Sequence, residues 1–113
     1  MRLLDAESGR VVVDDIELAR TSWSRFVGLM GRPRLDPGKG LWIEPCNSIH
    51  MFFMRFAIDV LFLDRQRRVK KVMLNFKPWG VSPIVFGART VVELPSGTLT
   101  DKSLVGSQLT LDG

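Results

Sequence analysis

The sequence predicts an α+β, β-rich fold: a small curled antiparallel sheet, or partly open barrel, with one main helix over about residues 22–30 packed on it. Three observations carry this. Short runs of β-branched or alternating apolar residues recur along the chain, separated by Gly and Pro turn chemistry. Only the segment around Trp23 to Met30 has clear helical spacing. Strands and helices do not alternate as βαβ units, which argues against a doubly wound parallel sheet. Short strands with tight turns favour closure toward a barrel.

The elements follow in order. Arg10-Val11-Val12-Val13 reads as a strand, Asp14-Asp15 as a turn and Ile16-Glu17-Leu18-Ala19 as the second arm of a hairpin. Thr21 can cap a helix whose apolar face is Trp23, Phe26, Val27 and Met30. Gly31 suits the position just past its end, and Pro33 blocks continuation. Asp36-Pro37-Gly38 fits a type II turn, and Leu41-Trp42-Ile43 a short buried strand. Ile58 to Leu63 is the strongest strand, apolar on both faces except at Asp59, with Asp64-Arg65-Gln66-Arg67 turning into a partner strand from Arg68 to Phe76. Thr90 to Pro95 and Ser107 to Leu111 are further strands, and Thr98 can cap a short helical turn through Lys102.

Composition bounds the function. A length of 113 residues, with 45% hydrophobic and 25% charged residues, fits a single domain over 1–113 with one core. One cysteine, Cys46, leaves the fold independent of an oxidising compartment. The N-terminal apolar run is too short for a signal peptide, and no stretch approaches the ~20 apolar residues of a membrane span. A cytoplasmic location without a membrane span is expected. The net charge of +4 and pI of about 9.8 are modest, and a solvated basic surface accounts for them.

The stretch His50-Met51-Phe52-Phe53-Met54-Arg55-Phe56-Ala57-Ile58-Asp59 sets ionic groups among Phe and Met side chains. Burying a bare charge is costly, so these groups are paired or used. His50, the only histidine, is the candidate catalytic acid or base, and Asp59 could orient it. Arg25 or Arg55 could hold an anion through two parallel hydrogen bonds. The plainer reading makes Asp59 an ion-pair partner of Arg25 or Arg55 that anchors helix to sheet.

Other constellations are weaker. Cys46, His50 and Met54 lie four residues apart, a donor set for Cu(I) or another soft ion. Pro45 interrupts any helix there, and Met among Phe residues is ordinary core filler, so no metal and no cofactor is expected. Cys46 reads as an inert thiol. The glycines of Gly28-Leu29-Met30-Gly31-Arg32-Pro33 sit at the wrong end of a helix for phosphate. Arg65 to Lys71 is the densest basic cluster, but no aromatic interleaves it, so a nucleic-acid partner is not expected.

Taken together, Arg25-Phe26-Val27-Gly28-Leu29-Met30-Gly31-Arg32, Gly40-Leu41-Trp42-Ile43, His50-Met51-Phe52-Phe53-Met54, Ile58 to Asp64 and Val92-Glu93-Leu94-Pro95-Ser96-Gly97 closely resemble the family called domain of unknown function 192, from about Ala19 to Leu111. The resemblance implies a compact β-rich domain with one main helix and implies no activity. Its pattern falls on Arg25, Gly28, Met30, Met54, Asp59, Asp64, Glu93 and Gly97. Ser96 replaces the small residue usual before that last glycine. By this resemblance Arg25, Asp59 and Glu93 could meet at one end of the barrel, and the chain is expected to be bacterial-type.

The expected function is a small non-enzymatic binding or accessory domain with a polar pocket at the His50–Asp59 region. Arg25, His50, Arg55, Asp59 and Glu93 would line it for a small anionic ligand or a protein partner, with Trp42 or Trp79 as exposed anchors. The alternative is a small enzyme using His50 as acid or base, with Arg25 or Arg55 holding an anionic substrate.

Overall fold

In a computed structural model, residues 1–19, 32–48 and 54–112 are described. Eight strands account for the regular structure among them: β1 Arg2–Asp5, β2 Val11–Val13, β3 Asp15–Ala19, β4 Lys39–Ile43, β5 Ile58–Leu63, β6 Val69–Phe76, β7 Thr90–Pro95 and β8 Leu109–Asp112. They form a three-stranded sheet, β2-β1-β8, and a five-stranded sheet, β3-β4-β7-β5-β6.

This corrects the predicted α+β class. The described residues are all-β, with no helix among them, and they build two sheets rather than one curled sheet or barrel. The helix predicted over 22–30 lies outside the described residues. Thr98 to Lys102 forms a series of bends, not a helical turn. The predicted hairpin around Asp14 is also corrected: β2 pairs with β1, whereas β3 joins the other sheet and runs parallel to β4. Parallel neighbours need a long crossover, and residues 20–38 connect these two. Sequence periodicity reports which residues are buried, but not which strand lies beside which.

β5 is buried along its whole length because β7 and β6 flank it and both of its faces are covered. Alternation along the five-stranded sheet builds two cores. One face, with Ile16, Trp42, Leu61, Leu63, Val72, Val92 and Leu94, packs against Leu3, Val13 and Leu109 of the smaller sheet. The opposite face carries Ala19, Leu41, Ile43, Ile58, Val60, Phe62 and Val91, with Met54 against them. Trp42 is 5% exposed, as its place in a short buried strand requires and an exposed anchor does not, and the Arg67 guanidinium lies 5.3 Å over its ring. A Cβ at Gly40 in β4 would stand 2.8 Å from Ile16 Cδ1 and 2.9 Å from Leu94 Cδ2, so the ends of both side chains would have to shift to admit one.

The β5–β6 hairpin turns on Asp64. Its Oδ1 accepts the amides of Gln66 and Arg68, each at 2.9 Å, and Arg67 adopts a φ of 65°. A short carboxylate that caps its own turn is what this position requires.

Candidate functional site

Two buried carboxyl groups, Asp59 on β5 and Glu93 on β7, come from the predicted site. The register pairs Asp59 with Leu94 and Val60 with Glu93. Cross-strand partners share a face, and successive residues alternate. Leu94 belongs to the core shared with the smaller sheet and Val60 to the opposite core. Asp59 and Glu93 therefore point to opposite faces of one sheet and do not meet.

Asp59 is fully engaged with backbone. Its Oδ1 accepts the amide of Asn75 at 2.9 Å, and its Oδ2 accepts the amides of Gly97 at 3.1 Å and Leu99 at 3.0 Å. Two local irregularities aim those donors. The β5–β6 register slips between Ile58 and Val60, and Asn75 takes a φ of 49°, so a bulge turns its amide inward. Gly97, at φ 92°, reverses the chain after β7, helped by Thr98 Oγ1 donating to the Pro95 carbonyl at 2.7 Å. Ser96 Oγ donates to Asn75 Oδ1 at 2.9 Å and ties the turn to the bulge. Three amides take the place that an arginine partner was expected to hold. Asp59 and Gly97, both on the family pattern, are thus hydrogen-bond partners.

Glu93 is the opposite case. It is 4% exposed, and its Oε1 has no hydrogen-bond partner. Its cross-strand neighbours are Leu41 and Val60, both apolar and buried. Burial pushes its carboxyl up to about 7, opposed by the positive charge of Arg32. Arg32 also reaches Glu17 Oε2 at 3.6 Å, and Glu17 sits beyond Leu41 on the edge strand β3. Arg32 thus pairs with the exposed edge while its charge also acts on the buried acid. Sequence reasoning missed both Arg32 and Glu17. The available signals were an acid interrupting Thr-Val-Val-Glu-Leu-Pro and the polar positions of the alternating strand β3.

Beside them, a cleft of about 270 Å³ opens along β3 and β4. Its charges are mutually paired. Lys39 bonds Asp15, which lowers the Asp15 carboxyl and raises the Lys39 ammonium, and Arg34 Nε lies 2.9 Å from Asp36. Such exposed pairs add little to stability.

Arg55 is exposed just before β5. Arg25 and His50 lie outside the described residues. Of the weak metal candidates, Cys46 is half-buried, with its Sγ 3.0 Å from the Ser48 carbonyl, and Met54 is buried in the second core. Among the described residues, no three His, Cys, Asp or Glu side chains cluster as metal ligands. No helix there is long and apolar enough to cross a membrane.

Among the described residues, two packed sheets hold one carboxyl group knotted into backbone and one left bare, an all-β arrangement built around buried acids. The chain belongs to the family DUF192, described as uncharacterized ACR, COG1430, whose model matches residues 4–111. It is similar to a UPF0127 protein of Thermococcus sibiricus, with 34% identity over 102 residues covering 86% of this chain. The chain spans only 65% of that relative's length. A UPF0127 protein of Pyrococcus furiosus is 32% identical over 114 residues, covering 95% of each chain. These relatives are archaeal, so the expectation of a bacterial-type chain is not supported. Among solved structures, a Novosphingobium aromaticivorans protein of unknown function superposes with a TM-score of 0.77 at 24% identity, over 96% of this chain and 82% of its own. A Sinorhizobium meliloti protein, solved as a candidate transcription regulator, gives 0.75 at 26% identity, over 96% and 89%.

Proposed function

We propose that the chain is a small non-enzymatic binding domain whose ligand engages Glu93 on the second face of the five-stranded sheet. The observation that carries this is the buried Glu93 Oε1 without a hydrogen-bond partner. A carboxyl left so is a standing cost to the fold, and a ligand that donates a hydrogen bond to it relieves that cost. An amine, amide or guanidinium group fits best, because a positive charge there would stabilise the carboxylate as Arg32 already does in part. Asp59 and Asp64 are occupied by backbone amides, which leaves Glu93 as the acid of the family pattern free for another partner.

A second reading, a small enzyme, draws on the same acid, since a carboxyl near 7 can take and return a proton at neutral pH. Binding is favoured because catalysis needs a second group placed against the same substrate atom, and among the described residues the cross-strand neighbours of Glu93 are the apolar Leu41 and Val60, with Arg32 acting on it only through its charge.

The test is a native mass spectrum of the wild-type protein and of Glu93→Gln, both purified from the protein's own host. A retained small molecule in the wild type that is lost from the variant is the expected result. A bare wild-type mass, or equal retention by both proteins, overturns the reading.

A further inference from the structure

The loop between β6 and β7 presents four large apolar side chains to solvent: Trp79 at 60% exposure, Val81 at 62%, Ile84 at 59% and Phe86 at 87%. The backbone beneath them is held. Gly80 sits so close to Phe76 that a Cβ would stand 2.6 Å from its ring, and Ser82 is buried. The Val85 amide donates to the Asn47 carbonyl at 2.9 Å, and Val85 and Ala88 pack on the second core. Pro78 and Pro83 stiffen the segment further. The outward residues are displayed by an anchored scaffold, and isolated exposed apolar residues would not need one.

Charge is segregated around this loop. From Arg65 to Val92 the chain has seven basic residues and no acid, while the rest, with nine basic and twelve acidic residues, is net negative. Arg65 and Arg89 line a cleft of about 430 Å³ with Gly87, directly beside Phe86. The Lys70 Nζ lies 3.9 Å from where a Gly87 Cβ would stand. Arg89 also approaches Glu44 at 3.8 Å, but its side chain remains 47% exposed.

We propose that the Trp79–Phe86 loop docks this protein on anionic lipid bilayers, its apolar side chains entering the boundary between headgroups and acyl chains while Arg65, Lys70 and Arg89 hold lipid phosphates. Apolar insertion beside a cationic patch is the pairing that interfacial binding needs. Single-stranded nucleic acid shares the charge, but it would be served by flat rings, and Val81 and Ile84 have none. The proposal does not depend on the reading of Glu93.

The experiment is vesicle flotation with the full chain. It compares phosphatidylcholine vesicles with vesicles of phosphatidylcholine and phosphatidylglycerol in equal parts, at low and high salt. The expected result is flotation with the mixed vesicles only, weakened by salt. Phe86→Asp and Val81→Asp should each lower the bound fraction about tenfold or more without changing the melting temperature. Arg89→Gln should lower it roughly fivefold. Both aspartate variants replace exposed side chains, and a melting curve for each shows that it is folded. No flotation with the mixed vesicles overturns the proposal, as does flotation insensitive to both aspartate variants. So does tighter binding to a single-stranded oligonucleotide lost in the same two variants, which would make nucleic acid the occupant.

Discussion

Asp59 and Glu93 sit on neighbouring strands of one sheet, one residue apart in register, and are buried to nearly the same degree. Their chemistry is nevertheless opposite. Asp59 faces the smaller sheet, where a bulge at Asn75 and the turn at Gly97 deliver three amides to it. Glu93 faces the other way, among Leu41 and Val60, with Oε1 bare and Arg32 at a distance. Burial alone therefore does not decide whether an acid serves the fold or is held for a partner. What decides it is whether the surrounding backbone has been bent to supply donors.

The largest effect should come from breaking the satisfied member. Asp59→Ala strands three amide donors, and urea denaturation should show a loss of roughly 3–5 kcal/mol. Asp59→Asn keeps one acceptor oxygen and should lose clearly less. Equal, negligible losses in both would mean that the knot does not hold β5, β6 and the 95–99 turn together.

The unsatisfied member should behave in the reverse sense, and only above its unfolded pKa. Glu93 binds its proton more tightly folded than unfolded. Its contribution is therefore intact below the ordinary value of 4.5 and is lost as pH rises through about 7. Glu93→Gln removes that loss and should be more stable than the wild type by about 3 kcal/mol at pH 8, with the advantage vanishing near pH 4. Denaturation curves of the two proteins across that range check both magnitude and sign.

Asp64→Ala should cost about 1 kcal/mol, because its two amide partners lie in an exposed turn where water replaces the carboxylate. Smallest of all, Lys39→Ala should leave the denaturation midpoint unchanged, since its pair with Asp15 is open to solvent.

The sequence makes some of this legible and hides the rest. The β5–β6 hairpin and its Asp64 turn follow from alternation and turn chemistry, and both are present. Asp59 and Glu93 are conspicuous as acids in apolar strands. Their separation is not readable, because periodicity gives the faces of one strand but not the register between two. An arginine partner for Asp59 was expected because sequence displays side-chain charge, whereas the true donors are the amides of Asn75, Gly97 and Leu99. The two-sheet arrangement and the parallel β3–β4 pair depend on contacts between distant segments, such as β1 with β8, which no local pattern encodes. In sequence Trp42 suits both a buried strand and a surface anchor, and the fold places it in the core beneath Arg67.

The most direct test is a pH titration of the Glu93 side-chain carboxyl by ¹³C NMR in the wild-type protein. A midpoint near 7 is predicted for a bare acid buried on the apolar face. A midpoint at or below the ordinary 4.5 would show that Glu93 is solvated or already partnered, and would contradict the contrast with Asp59 on which the binding reading rests.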